Sequence, residues 1–283
     1  MDVQNNSILI PVDFSKQSFV ALEQSYNLAN YTRSKVILLH VIKESAPLWG
    51  LMNFKEKDDF KFKVEKKLQD IAAEVKEKTN SEVKIVVEFG KVVDSILNVA
   101  RKLNVSFIFM GTSGSTDIRK KIIGSNALRI IKEARRPVIT IKGKFHRNGC
   151  ENIILPIDTT KQTLQKITSA VQFASLFNSK ISVISVISTN NKNEIQQAEE
   201  KLTEVENKIK SYGIDANHEL QVIEGDKSKI ANGIIQLSHK LHGDLIIIMT
   251  QQEGDIVSFF IGSLAKELIH SSDIPIMSIN PKE

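Results

Sequence analysis

The six residues Ile8-Leu9-Ile10-Pro11-Val12-Asp13 return 145 positions later as Ile153-Ile154-Leu155-Pro156-Ile157-Asp158. The correspondence runs without gaps from Ile8–Ile42 to Ile153–Ile187, with 10 of 35 positions identical. The far ends of the two copies agree as well. Gly124-Ser125 corresponds to Gly262-Ser263, Ala127 to Ala265, Pro137 to Pro275 and Ile141 to Ile279. A repeat this long is a duplicated domain, not a solenoid of short units, and 283 residues suit two domains of about 140. The stretch 143–149 is basic and flanked by Gly143 and Gly149, so it reads as the linker between domains at 1–143 and 151–283.

Within each copy, apolar runs alternate with helical patterns. In the first copy, strands fit at 7–13, 35–42, 82–89, 105–111 and 137–142, and helices at 16–32, 55–79, 92–103 and 124–134. Phe60, Val64, Leu68, Ile71, Ala72 and Val75 recur at helical spacing among charges, which predicts an amphipathic helix lying on a sheet. Ser15 and Ser125 stand where helix caps or near-caps are expected. The second copy repeats the alternation from 152 to 279. This βαβ order predicts an α/β fold, a parallel sheet covered on both faces. Trp49 falls in a less regular stretch and is expected to pack against its domain.

One segment points to a ligand. The apolar run that closes on Met110 is followed by Gly111, Gly114 and then, after nine residues, Gly124-Ser125, where a helical pattern starts. A strand, a glycine-bearing loop and a helix N-terminus together make a phosphate site. Glycine lets main chain approach the oxygens, and the helix start offers unbonded N–H groups. The spacing is not that of a P-loop, and no lysine follows Gly124. In a doubly wound sheet, ligands bind at the carboxyl ends of strands where strand order reverses. If the first and fourth strands flank that reversal, Pro11-Val12-Asp13 and the glycine loop share one crevice. Taken singly, Asp13 reads as a turn or capping residue and Gly111 as a turn.

Composition narrows the classes. Residues 1–143 carry 24 Lys and Arg against 16 Asp and Glu, a net of +8, whereas 151–283 carry 12 against 17, a net of −5. Arg119-Lys120-Lys121 lie within the glycine loop and read either as a solvated loop or as a field that draws in an anion. The basic residues form no stripe interleaved with aromatics, so nucleic acid is not expected. No apolar run reaches the roughly 20 residues of a membrane span, and the N-terminus lacks the pattern of a signal peptide. Cys150 is the sole cysteine, which fits a reducing compartment; a cytoplasmic protein is expected.

These residues resemble the universal stress protein family, in a tandem form. The resemblance is carried by Ile8 to Ser15, by the His40-Val41 strand end, by Gly111-x2-Gly114-x9-Gly124-Ser125, by Ala127 and by Arg136 to Ile141. It implies two doubly wound five-stranded parallel sheets of order 3-2-1-4-5, like those of adenine-nucleotide α-hydrolases. It also implies an intramolecular pseudo-dimer in which the fifth strands, 137–142 and 275–279, pair antiparallel. The implied ligand is ATP or a related adenine nucleotide. Asp13 would lie by the ribose and adenine, with Pro11 and Val12 lining the entry, and the Val41 main chain would meet the adenine edge. Met110, Gly111 and Gly114 would pass close to ribose and phosphates. Gly124, Ser125 and the Asn126 amide would hold phosphate oxygens. Magnesium could accompany the phosphates, though no carboxylate cluster demands it. The implied role is stress-response regulation through an unidentified protein partner, with further self-association open.

The second copy departs from this pattern. Met249 replaces Gly111 and Gln252 replaces Gly114, while Asp158, Val186 and Gly262-Ser263 remain. Those side chains would stand where main chain should touch ligand, so the second copy is expected to have lost nucleotide binding. Phe259 and Phe260 are expected to pack there. Two rival readings stay open. One is a slow ATP hydrolase, for which the sequence supplies neither a Walker lysine, nor a Ser-Gly-Gly-x-Asp-Ser loop, nor an evident base. The other is a scaffold that binds no nucleotide, since fold resemblance alone does not make a site. His239 and His242 lie three apart with no third ligand in view, and read as a solvated helix face rather than a metal site.

Overall fold

The computed structural model describes residues 6–44, 50, 52–112, 123–142, 149–157, 164–224, 226–250 and 261–280. The chain divides into two compact units, Met1–His146 and Arg147–Glu283. In unit 1 the strands are β1 (Ser7–Pro11), β2 (Lys35–Ile42), β3 (Val83–Phe89), β4 (Phe107–Gly111) and β5 (Val138–Ile141). The helices are α1 (Lys16–Thr32), α2 (Phe54–Thr79), α3 (Val92–Lys102) and α4 (Ser125–Glu133). The strands are parallel and ordered β3-β2-β1-β4-β5. This is the 3-2-1-4-5 order, and it turns back between β1 and β4.

Strand β1 is apolar beyond Ser7 because helices cover both sheet faces. Ile8, Leu9 and Ile10 are fully buried, as a central parallel strand requires. Helix α2 buries the stripe Val64, Leu68, Ile71 and Val75. Phe60, at the flank of that stripe, stays 40% exposed. The helix starts at a capping box in which Asn53 and Glu56 each accept from the other's main-chain N–H. It stops at Asn80, whose left-handed backbone lets its N–H reach the Lys76 carbonyl.

Unit 2 repeats the plan with β6 (Asn152–Pro156), β7 (Lys180–Ile187), β8 (Ala216–Val222), β9 (Leu245–Met249) and β10 (Ile276–Ile279). Its helices are α5 (Leu164–Phe177), α6 (Lys192–Lys210), α7 (Ile230–Lys240) and α8 (Ser263–Ser271), with a 3-10 turn at Lys227–Lys229. The order is β8-β7-β6-β9-β10, all parallel, so the same reversal falls between β6 and β9.

Many element ends differ from the sequence expectation by one or two residues, and the end of β1 has a visible cause. Strand β1 stops at Pro11 rather than running to 13, because Phe14 turns left-handed (φ 61°) and Asp13 Oδ1 accepts the Ser15 N–H at 3.0 Å. Ser15 then caps α1, its Oγ accepting from the Ser18 N–H at 3.2 Å. At α4 the cap is Gly124, without a side-chain bond, and Ser125 is the first helical residue. Trp49, Phe259 and Phe260 lie outside the described residues.

Candidate functional site

Leu9 of β1 pairs with Ile108 of β4, and that register carried three residues forward sets Val12, one residue beyond β1, level with Gly111 at the end of β4. Main-chain bonds continue past both strand ends. The Val12 N–H donates to the Leu39 carbonyl at 2.8 Å, and the Thr112 N–H to the Ile141 carbonyl at 3.1 Å. The Thr112 carbonyl in turn accepts the Gly124 N–H at 2.8 Å. That bond ties the start of α4 to the end of β4 and brings both ends of the intervening loop to the strand edge. Gly124 has extended backbone and Leu128 N–H bonds its carbonyl, so α4 begins directly behind it. The first amides of α4, Ser125 and Asn126, have no intrahelical acceptor by the geometry of any helix start. They are exposed, and the first turn carries no acidic residue to offset its positive end.

Pro11, Val12, Asp13, Val41, Gly111, Gly124, Ser125 and Asn126 thus all lie along the carboxyl edge of the unit 1 sheet, on or directly beside the ends of β1, β2, β4 and α4. Asp13 is exposed, Pro11 and Val41 are half-buried, and Val12 is buried. Met110 lies inside β4, paired with Thr140 and 8% exposed, so its side chain belongs to the core. Gly114 and Arg119-Lys120-Lys121 lie outside the described residues. Gly111 has a packing reason as well. A Cβ there would sit 2.8 Å from the Gln17 carbonyl oxygen in the first turn of α1.

Three residues not singled out as contact groups complete this edge. His40 Nδ1 lies 2.7 Å from the Val12 carbonyl oxygen. A carbonyl only accepts, so Nδ1 carries the proton. The Phe14 ring stacks on His40 with centroids 4.6 Å apart, and Lys67 Nζ of α2 stands 4.2 Å from the Phe14 centroid. Burial holds the His40 pKa below its ordinary 6.5, aided by the Lys67 charge and opposed by the Val12 bond and the Asp13 charge. His40 is therefore neutral at pH 7. The signal in the sequence was a histidine closing an apolar strand; its partners, 26 to 28 residues away, were not legible.

Unit 2 keeps the frame and changes the lining. Ile157 N–H donates to the Ile184 carbonyl at 2.8 Å and Gly262 N–H to the Thr250 carbonyl at 2.9 Å, matching the bonds of Val12 and Gly124. Met249, at the Gly111 position, ends β9 opposite Ile279. Ser185 stands where unit 1 has His40, and buried Lys166, at the position of Ala21, donates to the Pro156 carbonyl. Asp158 and Gln252 lie outside the described residues.

Among the described residues, no group of three or more His, Cys, Asp or Glu could hold a metal ion. His239 pairs with Asp273 at 2.9 Å. No described helix is long and apolar enough to cross a membrane.

The universal stress protein family profile matches residues 4–142 and again 149–280. A universal stress protein of Methanocaldococcus jannaschii is 29% identical over 160 residues, 51% of this chain and 99% of that protein. Another, YxiE of Bacillus subtilis, is 25% identical over 146 residues, 48% of this chain and 99% of that protein. The solved universal stress protein from Archaeoglobus fulgidus DSM 4304 superposes over 99% of this chain and 98% of its own, with TM-score 0.75 at 20% identity, a likeness of fold. With both halves matched, the chain belongs to the universal stress protein family as a tandem member.

Proposed function

We propose that unit 1 binds ATP or a related adenine nucleotide at the carboxyl edge of β1 and β4, and that the protein acts as a nucleotide-responsive regulator in a stress response. The observation that carries this reading is the level placement of Val12 and Gly111 at the strand reversal, with α4 anchored beside them by the Thr112–Gly124 bond. In this reading Asp13 accepts hydrogen bonds from the ribose, between Pro11, Val12 and the Val41 main chain. The main chain at Met110, Gly111 and Gly114 passes along ribose and phosphates. The amides behind Gly124, at Ser125 and Asn126, hold phosphate oxygens, as helix starts do. A magnesium ion, where present, rides on the phosphates. Unit 2, with Met249 and Gln252 in place of the two glycines, is read as a copy that no longer binds nucleotide.

The test is direct. The protein is purified without added nucleotide and denatured, and the released small molecules are weighed by mass spectrometry. Calorimetry with ATP, ADP and AMP follows. Gly114→Gln, which copies unit 2, is expected to abolish binding while the fold persists. An empty protein that gives no heat with millimolar ATP sinks the proposal in favour of a nucleotide-independent scaffold. Multiple-turnover phosphate release that Asp13→Ala abolishes would make the protein a hydrolase instead.

A further inference from the structure

Strand β2 grips Val12 from both sides. The Leu39 carbonyl accepts the Val12 N–H at 2.8 Å, and the His40 ring reaches the Val12 carbonyl at 2.7 Å. Immediately beyond lie Asp13, whose Oδ1 accepts the Ser15 N–H, and Phe14, whose φ of 61° is unusual for an aromatic residue. A bulky residue keeps such a backbone only where its surroundings enforce it. Here the surroundings are on the page: the Phe14 ring lies on the His40 ring and under Lys67. One imidazole therefore touches both the residue before Asp13 and the residue after it.

We infer that His40 is a positioning residue, clamping the Val12 carbonyl and bracing the Phe14 ring so that the turn presents Asp13 in one fixed orientation to the ligand. The inference rests on the nucleotide reading above for the ligand, though the brace itself does not need one. Unit 2 supplies the comparison. It retains the main-chain half of the grip, Ile157 N–H to Ile184 carbonyl, yet carries Ser185 for His40 and Thr159 for Phe14. The ring pair is missing from the copy that also carries Met249 and Gln252 in place of two of the three glycines. If the ring were only a strand-end core residue, both copies would need one, since the two strand frames are alike. The neutral ring fits the role. Asp13 and Lys67 are the charged groups whose fields act on it, in opposite senses, and burial keeps it uncharged.

Two variants of the full chain separate the parts. His40→Leu keeps apolar bulk and removes the donor; His40→Asn keeps an N–H near the Nδ1 position. ATP is the calorimetric probe, and amide hydrogen exchange of Ser15 is followed by NMR in nucleotide-free protein. His40→Leu is expected to weaken ATP binding about 10-fold and to speed Ser15 exchange about 10-fold, with core amides such as Leu38 unchanged. His40→Asn is expected to recover both in part, since it restores the Val12 bond but not the ring contact with Phe14. Unchanged Ser15 exchange in His40→Leu, equal acceleration at the core amides, or no recovery in His40→Asn overturns the inference. Should His40→Leu fail to fold, the ring itself decides: nitrogen shifts of the wild-type imidazole must show the proton on Nδ1, and a proton on Nε2 alone refutes the clamp. Wild-type protein that binds no ATP defeats the nucleotide proposal and leaves the exchange result to judge the brace.

Discussion

Gly111 packs against the main chain of Gln17, close enough that a methyl group on Gly111 would come within 2.8 Å of the Gln17 carbonyl oxygen. The obstacle is backbone, in the first turn of α1, so it cannot rotate away as a side-chain tip would. Gly111→Ala is therefore expected to destabilise unit 1 by about 1–3 kcal/mol even without ligand. Urea denaturation of the nucleotide-free protein measures this; an unchanged midpoint would leave glycine at 111 to ligand approach alone.

Asp13 has one observed role, its bond to Ser15, and one proposed role toward ATP, and one pair of measurements separates them. Its Oδ1 accepts the Ser15 N–H in an exposed turn. Such a bond contributes on the order of 1 kcal/mol or less to stability. Asp13→Ala is expected to shift the thermal midpoint little and to cost about 10-fold or more in ATP affinity. Calorimetry and a thermal melt of the same sample decide it.

In unit 2, His218 of β8 faces two carboxylates of α6, Glu199 at 3.0 Å from Nε2 and Glu206 at Nδ1. Two acceptors need two N–H groups, so the ring is an imidazolium when both contacts are made. Burial opposes the charge, but the hydrogen bonds to Glu206 and Glu199 outweigh it and raise the His218 pKa above 6.5. For Glu206 the Lys210 bond leads, burial opposes it, and the His218 bond adds to a pKa below 4.5. The sign follows from linkage. The histidine's contribution is complete below pH 6.5 and is lost as pH rises through its raised value. The glutamate's is complete above pH 4.5 and is lost as pH falls through its lowered value. His218→Ala should cost about 1 kcal/mol between those limits and less on either side. Denaturation midpoints of both proteins across pH 4 to 9 test this, and a pH-independent difference would contradict it.

Cys150 is expected to be inert in the native state. Burial pushes its thiol up to about 12, with the Asp244 charge adding and the Ser179 bond opposing. Since the thiolate is the reactive form, labelling by a disulfide reagent should be slower than in denatured protein by about 100-fold or more. Comparable rates with and without denaturant would show that the thiol is open to solvent.

The repeat and its apolar alternation carried most of the fold, because a strand covered on both faces is predominantly apolar, as at Ile8, Leu9 and Ile10. Element ends were less legible, since they depend on single hydrogen bonds. Pro11 closes β1 early because Asp13 starts a turn. The glycine-bearing stretch was expected to open at the end of β4, and Gly111 stands there. What it could not reveal was the set of contacts between distant segments: His40 with Val12 and Phe14, Lys67 with Phe14, Gly111 with Gln17. Each depends on where a side chain or a helix start comes to rest in the sheet, and linear spacing holds no record of that.

The bonds from Gly124 to Thr112 and from Gly262 to Thr250 have one further consequence. Two equivalent scaffolds in one polypeptide give every experiment an internal blank. Exchanging His40 with Ser185 moves a single chemical group between the two copies at constant composition. Any property that follows the exchanged group belongs to that group, and any that stays behind belongs to the architecture.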